Sequence, residues 1–190
     1  MKTFEEEIKL AVEALKKGKV ILYPTDTIWG LGCDATNSKA VEKVFKIKKR
    51  TENKSLIALV DSEERLKDYI KEVPPIAFDL IQNAANPISI IFPGAKNLAK
   101  NAIGSDGTVC IRVTTSEFCK ELVRRLGKPI ASTSANISGE DTALFFNQIS
   151  KNILDTVDHV VGLYQDEINI PKASTIIKLE VNGRFEIIRA

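Results

Sequence analysis

The sequence predicts an α/β fold, a twisted, mixed sheet flanked by helices. Three observations carry this reading. Short apolar runs of strand length recur at 20–23, 56–60, 88–92, 108–113, 130–134 and 175–179. Segments whose apolar residues keep helical spacing lie between several of them, notably 75–84 and 116–126. Val181-Asn182-Gly183-Arg184 is a strong hairpin turn, which pairs 175–180 with 184–189.

The N-terminal helix has its own signals. Thr3 followed by Glu6 forms a capping-box pattern, since each side chain can serve the other's backbone N–H. Ile8, Ala11, Val12 and Leu15 then share one helical face, and Gly18 supplies a stop. Ser38 is expected to cap a second helix, whose apolar face is Val41, Val44 and Phe45. No internal repeat, low-complexity tract or linker divides the chain, so residues 1–190 read as a single domain.

Composition narrows the function classes. With 44% hydrophobic residues in a chain of 190, a sizeable core forms without staples. A formal net charge of +2 does not mark a nucleic-acid binder. Cys33, Cys110 and Cys119 are odd in number and lie at no metal-binding spacing. They argue against zinc and against a disulfide framework, and they suit a reducing cytoplasm. The first residues carry no apolar signal core, and no apolar run approaches a membrane span, so a cytoplasmic protein without a membrane partner is expected.

Several familiar catalytic devices are absent. There is no Walker A loop, no GxGxxG after a strand and no GxSxG elbow. His159 is the only histidine and lies in a strand-like segment, so a triad mechanism would rest on it alone, and it is assigned a structural role. What remains is cations, hydroxyls and amides. That inventory suits an anionic substrate, with catalysis by positioning and charge stabilisation.

Four segments carry this chemistry. Lys48 lies three residues after Phe45 and four after Val44, on the core-facing stripe, whereas Lys43, Lys46 and Lys49 fall on the solvent side. A buried cation needs a partner, so Lys48 is either an anion site or, with Arg50, a helix end decorated with basic residues. In the segment 108–114, Thr108, Cys110, Arg112 and Thr114 share one strand face, either as a ligand wall or as an ordinary half-exposed strand. In the segment 129–139, Ser132, Ser134 and Asn136 share a face while the chain is extended, either as a phosphate or ribose cradle or as a polar turn. In Tyr23-Pro-Thr-Asp-Thr-Ile-Trp-Gly-Leu-Gly32, Thr25 and Thr27 can line a pocket with Trp29 as its wall, and a glycine-rich loop is the competing reading.

Taken together, these segments resemble the YrdC-like family. The run 23–32 is similar to that family's YPTDTVYGLG opening, Lys48-Lys49-Arg50 to its KxR element and Ser134-Ala135-Asn136 to its SxN element. Thr108 to Arg112 resembles its TVxxR strand, and Ala173-Ser174-Thr175-Ile-Ile-Lys-Leu its PSTIVDL strand. Five motifs occur in order across about residues 5–189.

The resemblance implies a sheet around a concave, basic cavity and a synthase activity. Members condense L-threonine, bicarbonate and ATP to threonylcarbamoyl-AMP and release pyrophosphate, and the product feeds N6-threonylcarbamoyladenosine formation in tRNA. Carried over, Lys48, Arg50, Ser134 and Asn136 handle phosphates and the reacting carbamate. Thr108 lies near the nucleotide, and Arg189 closes over ATP. Thr25, Arg112, Ser132 and Ser174 border the threonine, with Arg112 a natural partner for its carboxylate. Mg²⁺ is expected on the triphosphate, held chiefly by substrate oxygens and water, with no protein metal site. A downstream tRNA-modifying machinery is the implied partner.

The departures from the family pattern are local. Trp29 replaces a tyrosine, Asn86-Pro-Ile-Ser-Ile replaces Gly-Pro-Leu-Thr-Leu, and Thr51 replaces a proline. Lys54-Ser55-Leu56 stands where many members have His-Pro-Leu, so Lys54 either replaces a threonine-side histidine or is solvated. The chain resembles the short, single-domain form. Three rivals stay open: an RNA-binding module of the same fold using the basic cluster at 43–54, a carbamoyltransferase chemistry, and a member that has lost activity.

Overall fold

The computed structural model describes residues 2–49, 56–166 and 173–190. Helix α1, Phe4–Lys16, opens with the expected capping box: Glu6 N donates to Thr3 Oγ1, and Thr3 N donates to the Glu6 carboxylate. Gly18 follows the helix in the left-handed region at φ 70°, which a side chain disfavours. The chain then lays down β1, Ile21–Tyr23, and β2, Gly30–Asp34, an antiparallel pair.

Helix α2, Ser38–Lys48, is capped by Asn37 and not by Ser38. Asn37 is extended, and its side-chain oxygen accepts from Lys39 N and Ala40 N, which leaves Ser38 as the first helical residue. Strand β3, Ile57–Val60, is followed by the short helices α3, Leu66–Tyr69, and α4, Ile76–Gln82. Then come β4, Ile88–Phe92, and β5, Val109–Val113. Helix α5, Glu117–Leu126, is capped by Ser116 and closed by Gly127. Strand β6, Ile130–Ser134, helix α6, Lys151–Thr156, strand β7, His159–Val160, and the hairpin of β8, Thr175–Leu179, and β9, Phe185–Arg189, complete the order.

Among the described residues these strands form one sheet in the order β7-β1-β2-β6-β3-β5-β4-β8-β9. Pairs β1/β7, β3/β5 and β4/β8 are parallel and the others antiparallel, so the sheet is mixed, as the sequence predicts. Strand alternation distributes the core. Ile21 and Tyr23 face α1 and α5, where Ile8, Leu15, Phe118 and Leu122 pack, while Leu22 faces α2 and its Val41, Val44 and Phe45. A third cluster fills the space between β3, β4 and β5 and helices α3 and α4.

Charged side chains tie the edges down. Lys43 is held by Asp158, whose other contact is Val20 N at 2.8 Å, so Lys43 joins α2 to the segment before β7. Lys46 stays exposed beside Glu42. His159 lies 3.4 Å from the buried Glu7; burial pushes its pKa down and Glu7 opposes this. It does not line the cavity described below.

Gly32 sits where two strands crowd. A Cβ there would lie 2.6 Å from Tyr23 Cε1 and 2.9 Å from Ile130 Cγ2, both in the core. Gly32→Ala should therefore lower the urea midpoint, at a cost of about 1–3 kcal/mol. An unchanged midpoint would contradict this packing.

Candidate active site

A cavity of about 260 Å³ opens over the middle of the sheet. Its floor follows from register. Gly32 pairs with Ser132, Ser132 with Ile57, Ile57 with Cys110 and Cys110 with Ile91. Two small residues of this row, Ser132 and Cys110, line the cavity and leave room above the sheet. Thr25, Thr27 and Trp29 wall one side from the loop between β1 and β2, and Ser174 and Arg189 wall the other. Trp29 is fixed against the Phe146 ring, centroids 4.8 Å apart. Among the described residues the only charged side chains lining this space are Arg112 and Arg189, both cations, which fits an anionic occupant.

Arg112 organises one end. It is 6% exposed and pairs with Asp26, whose side chain is 4% exposed, at 3.3 Å. Its Nε donates to Ser89 Oγ, its Nη1 to Thr27 Oγ1 and its Nη2 to Ser174 Oγ. Arg189 donates to Ser174 O from Nε and Nη2 at 3.1 and 2.7 Å, so strand β9 is pinned to the same residue. Cys110, beneath Arg112, is a buried thiol whose pKa burial pushes up to about 12, a neutral wall and no nucleophile.

Lys48 and the polar end of β6 meet at another end. Lys48 is 2% exposed, on the inward stripe of α2 as its spacing predicts. Its Nζ donates to Ser134 O at 2.8 Å, Ser134 Oγ at 3.3 Å and Asn136 Oδ1 at 3.0 Å. Residues more than 80 positions apart in sequence are thus in contact, and Ser134 also lines the cavity. Asn136 is anchored through Nδ2 to Glu140 O and Ile137 O. Next along β6, Ser132 Oγ accepts from Tyr23 Oη at 2.7 Å. Burial holds the Tyr23 hydroxyl well above its ordinary pKa, so it remains a donor, and the Ser132 proton is left for another acceptor.

The structure brings Thr25, Arg112, Ser132, Ser134, Ser174 and Arg189 to the cavity, with Lys48 and Asn136 joined to Ser134. It does not bring Thr108 there: its hydroxyl donates to Asp106 Oδ1 at 2.7 Å, in the turn that precedes β5. Arg50 and Lys54 lie outside the described residues. Asp26 and Ser89 were given no role by sequence reasoning. Asp26 stands inside the loop motif at 23–32, and a cation on a core-facing position such as Arg112 needs an acid of this kind as its partner.

Comparison with known proteins agrees with this geometry. A family model described as Telomere recombination, covering Sua5, YciO and YrdC, matches residues 13–190. A protein of Pseudoalteromonas translucida named threonylcarbamoyl-AMP synthase is 36% identical over 184 residues, 95% of this chain and 96% of that one. A protein of the same name from Vibrio campbellii is 32% identical over 158 residues, covering 82% of this chain and 83% of the other. The structure of Pyrococcus abyssi Sua5 complexed with L-threonine superposes with a TM-score of 0.83 at 28% identity, over 90% of this chain and 50% of that one. This chain therefore spans half of that protein's length. Escherichia coli YciO shares the fold, with a TM-score of 0.83 over 100% of this chain and 90% of its own at 24% identity. On its matched length and its relatives, the chain belongs to the Sua5/YciO/YrdC family.

Proposed function

We propose that this protein joins L-threonine, bicarbonate and ATP into threonylcarbamoyl-AMP with release of pyrophosphate, in the cytoplasm, for N6-threonylcarbamoyladenosine formation in tRNA. The observation that carries the reading is a cavity lined by two arginines and a row of hydroxyls, within a chain whose relatives bear the synthase name. The three free cysteines, all buried, fit a reducing compartment. No helix among the described residues is long and apolar enough to cross a membrane.

The chemistry needs no protein nucleophile. The amine of threonine attacks carbon dioxide or bicarbonate to give a carbamate, whose oxygen attacks the α-phosphorus while pyrophosphate leaves. The cost lies in gathering anions and holding them in line, which fixed cations and hydroxyls reduce. In this reading Arg112, Thr25, Ser132 and Ser174 receive the amino acid, and Lys54, outside the described residues, either takes the role of the family's threonine-side histidine or is solvated. Lys48, Arg50, Ser134 and Asn136 meet the phosphates and the carbamate, with Arg189 over the nucleotide. Among the described residues the cavity lining holds no carboxylate, so that donor set fits a Mg²⁺ ion that arrives on the triphosphate and keeps phosphate and water ligands. Such an ion would neutralise charge on the leaving pyrophosphate.

Two measurements test this. Pyrophosphate release should require ATP, threonine and bicarbonate together, each omission abolishing it. Release that ignores threonine would contradict the synthase reading, and salt-sensitive RNA retention without any release would favour the binding-module alternative. Lys48→Met, which keeps the buried volume, should lower turnover about ten- to a hundredfold through loss of a charge-assisted contact of roughly 1.5–3 kcal/mol. Lys46→Ala on the exposed side should leave turnover unchanged, and equal effects of both would refute the assignment of helix faces.

A further inference from the structure

The guanidinium of Arg112 is nearly fully engaged before any ligand arrives. Nε donates to Ser89 Oγ at 3.0 Å and Nη2 to Ser174 Oγ at 2.8 Å, and those hydroxyls lie 2.9 Å apart. Together they fill the edge of the fork made by Nε and Nη2. On Nη1, one donation goes to Thr27 Oγ1 at 3.0 Å and another to Asp26 Oδ1 at 3.3 Å. A guanidinium has five N–H groups, so one remains, on the edge that Nη2 shares with Nη1. A carboxylate binds a fork through two parallel N–H groups. To do so here it must displace an oxygen already on Nη1.

The two resident oxygens are not equally held. The Asp26 carboxylate also accepts from Thr114 Oγ1 at 3.1 Å, Thr115 N at 2.9 Å and Thr115 Oγ1 at 3.3 Å. It does not line the cavity, and removing it would strand a buried cation. Thr27 is neutral, half-buried and lines the cavity. Its hydroxyl also lies 3.1 Å from Thr25 Oγ1, which in turn donates to Ile28 O, so Thr27 keeps a partner when it leaves Arg112.

We propose that the Thr27 hydroxyl is a placeholder for one oxygen of the substrate carboxylate, displaced from Arg112 when the amino acid binds while Asp26 stays. This rests on the reading of L-threonine as substrate and adds a specificity device to it. Without ligand, Thr27 satisfies a buried donor that would otherwise be costly to leave unpaired. A charged carboxylate forms stronger bonds to the same N–H and wins the exchange, whereas a neutral hydroxyl or amide replaces like with like and gains little. Thr27 thereby biases the site toward carboxylates.

The test uses Trp29, the only tryptophan of the chain and part of the same wall, as a fluorescence reporter in titrations with L-threonine alone. Thr27→Val keeps the shape and removes the placeholder, so the Arg112 donor waits unpaired. The threonine Kd should then fall by about fivefold or more. Thr27→Ser, which retains the hydroxyl, should bind as the wild type does, and ATP affinity should not change in either variant. A folded Thr27→Val protein with unchanged or weakened threonine binding would overturn the proposal, because the hydroxyl would then be a bystander or a direct ligand contact. Wild-type protein that binds ATP but not threonine would instead overturn the substrate reading itself.

Discussion

A guanidinium that is 6% exposed beneath a sheet-top cavity survives only if its charge and its donors are answered, and the Arg112–Asp26 ion pair answers the charge. The rest of the site is arranged around that requirement. Asp26 comes from the loop between β1 and β2, so that loop is held against the end of β5 through Thr114 and Thr115. Ser89 on β4 and Ser174 before β8 supply hydroxyls on the far side. Arg189 on β9 then grips Ser174 O. Segments from positions 26 to 189 are thus fastened to one another through one cation and its partners.

Space above the sheet comes from an opposite constraint. Ser132 and Cys110, small residues in one cross-strand row, line the cavity, whereas Gly32 in the same row lies outside the lining and faces Tyr23 and Ile130 at distances that leave no room for a methyl group. Lys48 is placed by a third device, the left-handed Lys49 at φ 49°, which ends α2 just after the lysine. Its ammonium is thereby aimed at the carbonyl and hydroxyl of Ser134.

Much of this was legible in the sequence because it follows from local periodicity. The helix phase of Val44, Phe45 and Lys48 places the lysine inward, and the strand phase of Cys110 and Arg112 places both toward the cavity. The hairpin at Asn182-Gly183 follows from turn chemistry alone. Strand β2 is not among the strand-like runs of the sequence because its glycines depress strand propensity, and they are there to admit the Tyr23 ring and the strand β6 side chains. The cap at Asn37 was missed because Asn and Ser are adjacent and both are good caps, and only the extended backbone at Asn37 decides between them. The role of Asp26 could not be read from spacing, since its partner is 86 residues away. Thr108 shares a strand face with Arg112, but the turn at Asp106 takes its hydroxyl before the strand begins.

The role proposed for Arg112 is that of a fixed, fork-shaped cation that receives the amino acid's carboxylate. Arg112→Lys keeps the charge and removes the fork, so one ammonium must replace donors now spread over four side chains. The direct measurement is the pyrophosphate-release rate of this variant in a threonine titration at saturating ATP and an ATP titration at saturating threonine. The expected result is a threonine KM raised about tenfold or more, with the ATP KM little changed. An Arg112→Lys enzyme whose threonine KM matches the wild type, or whose two KM values rise together, would contradict it.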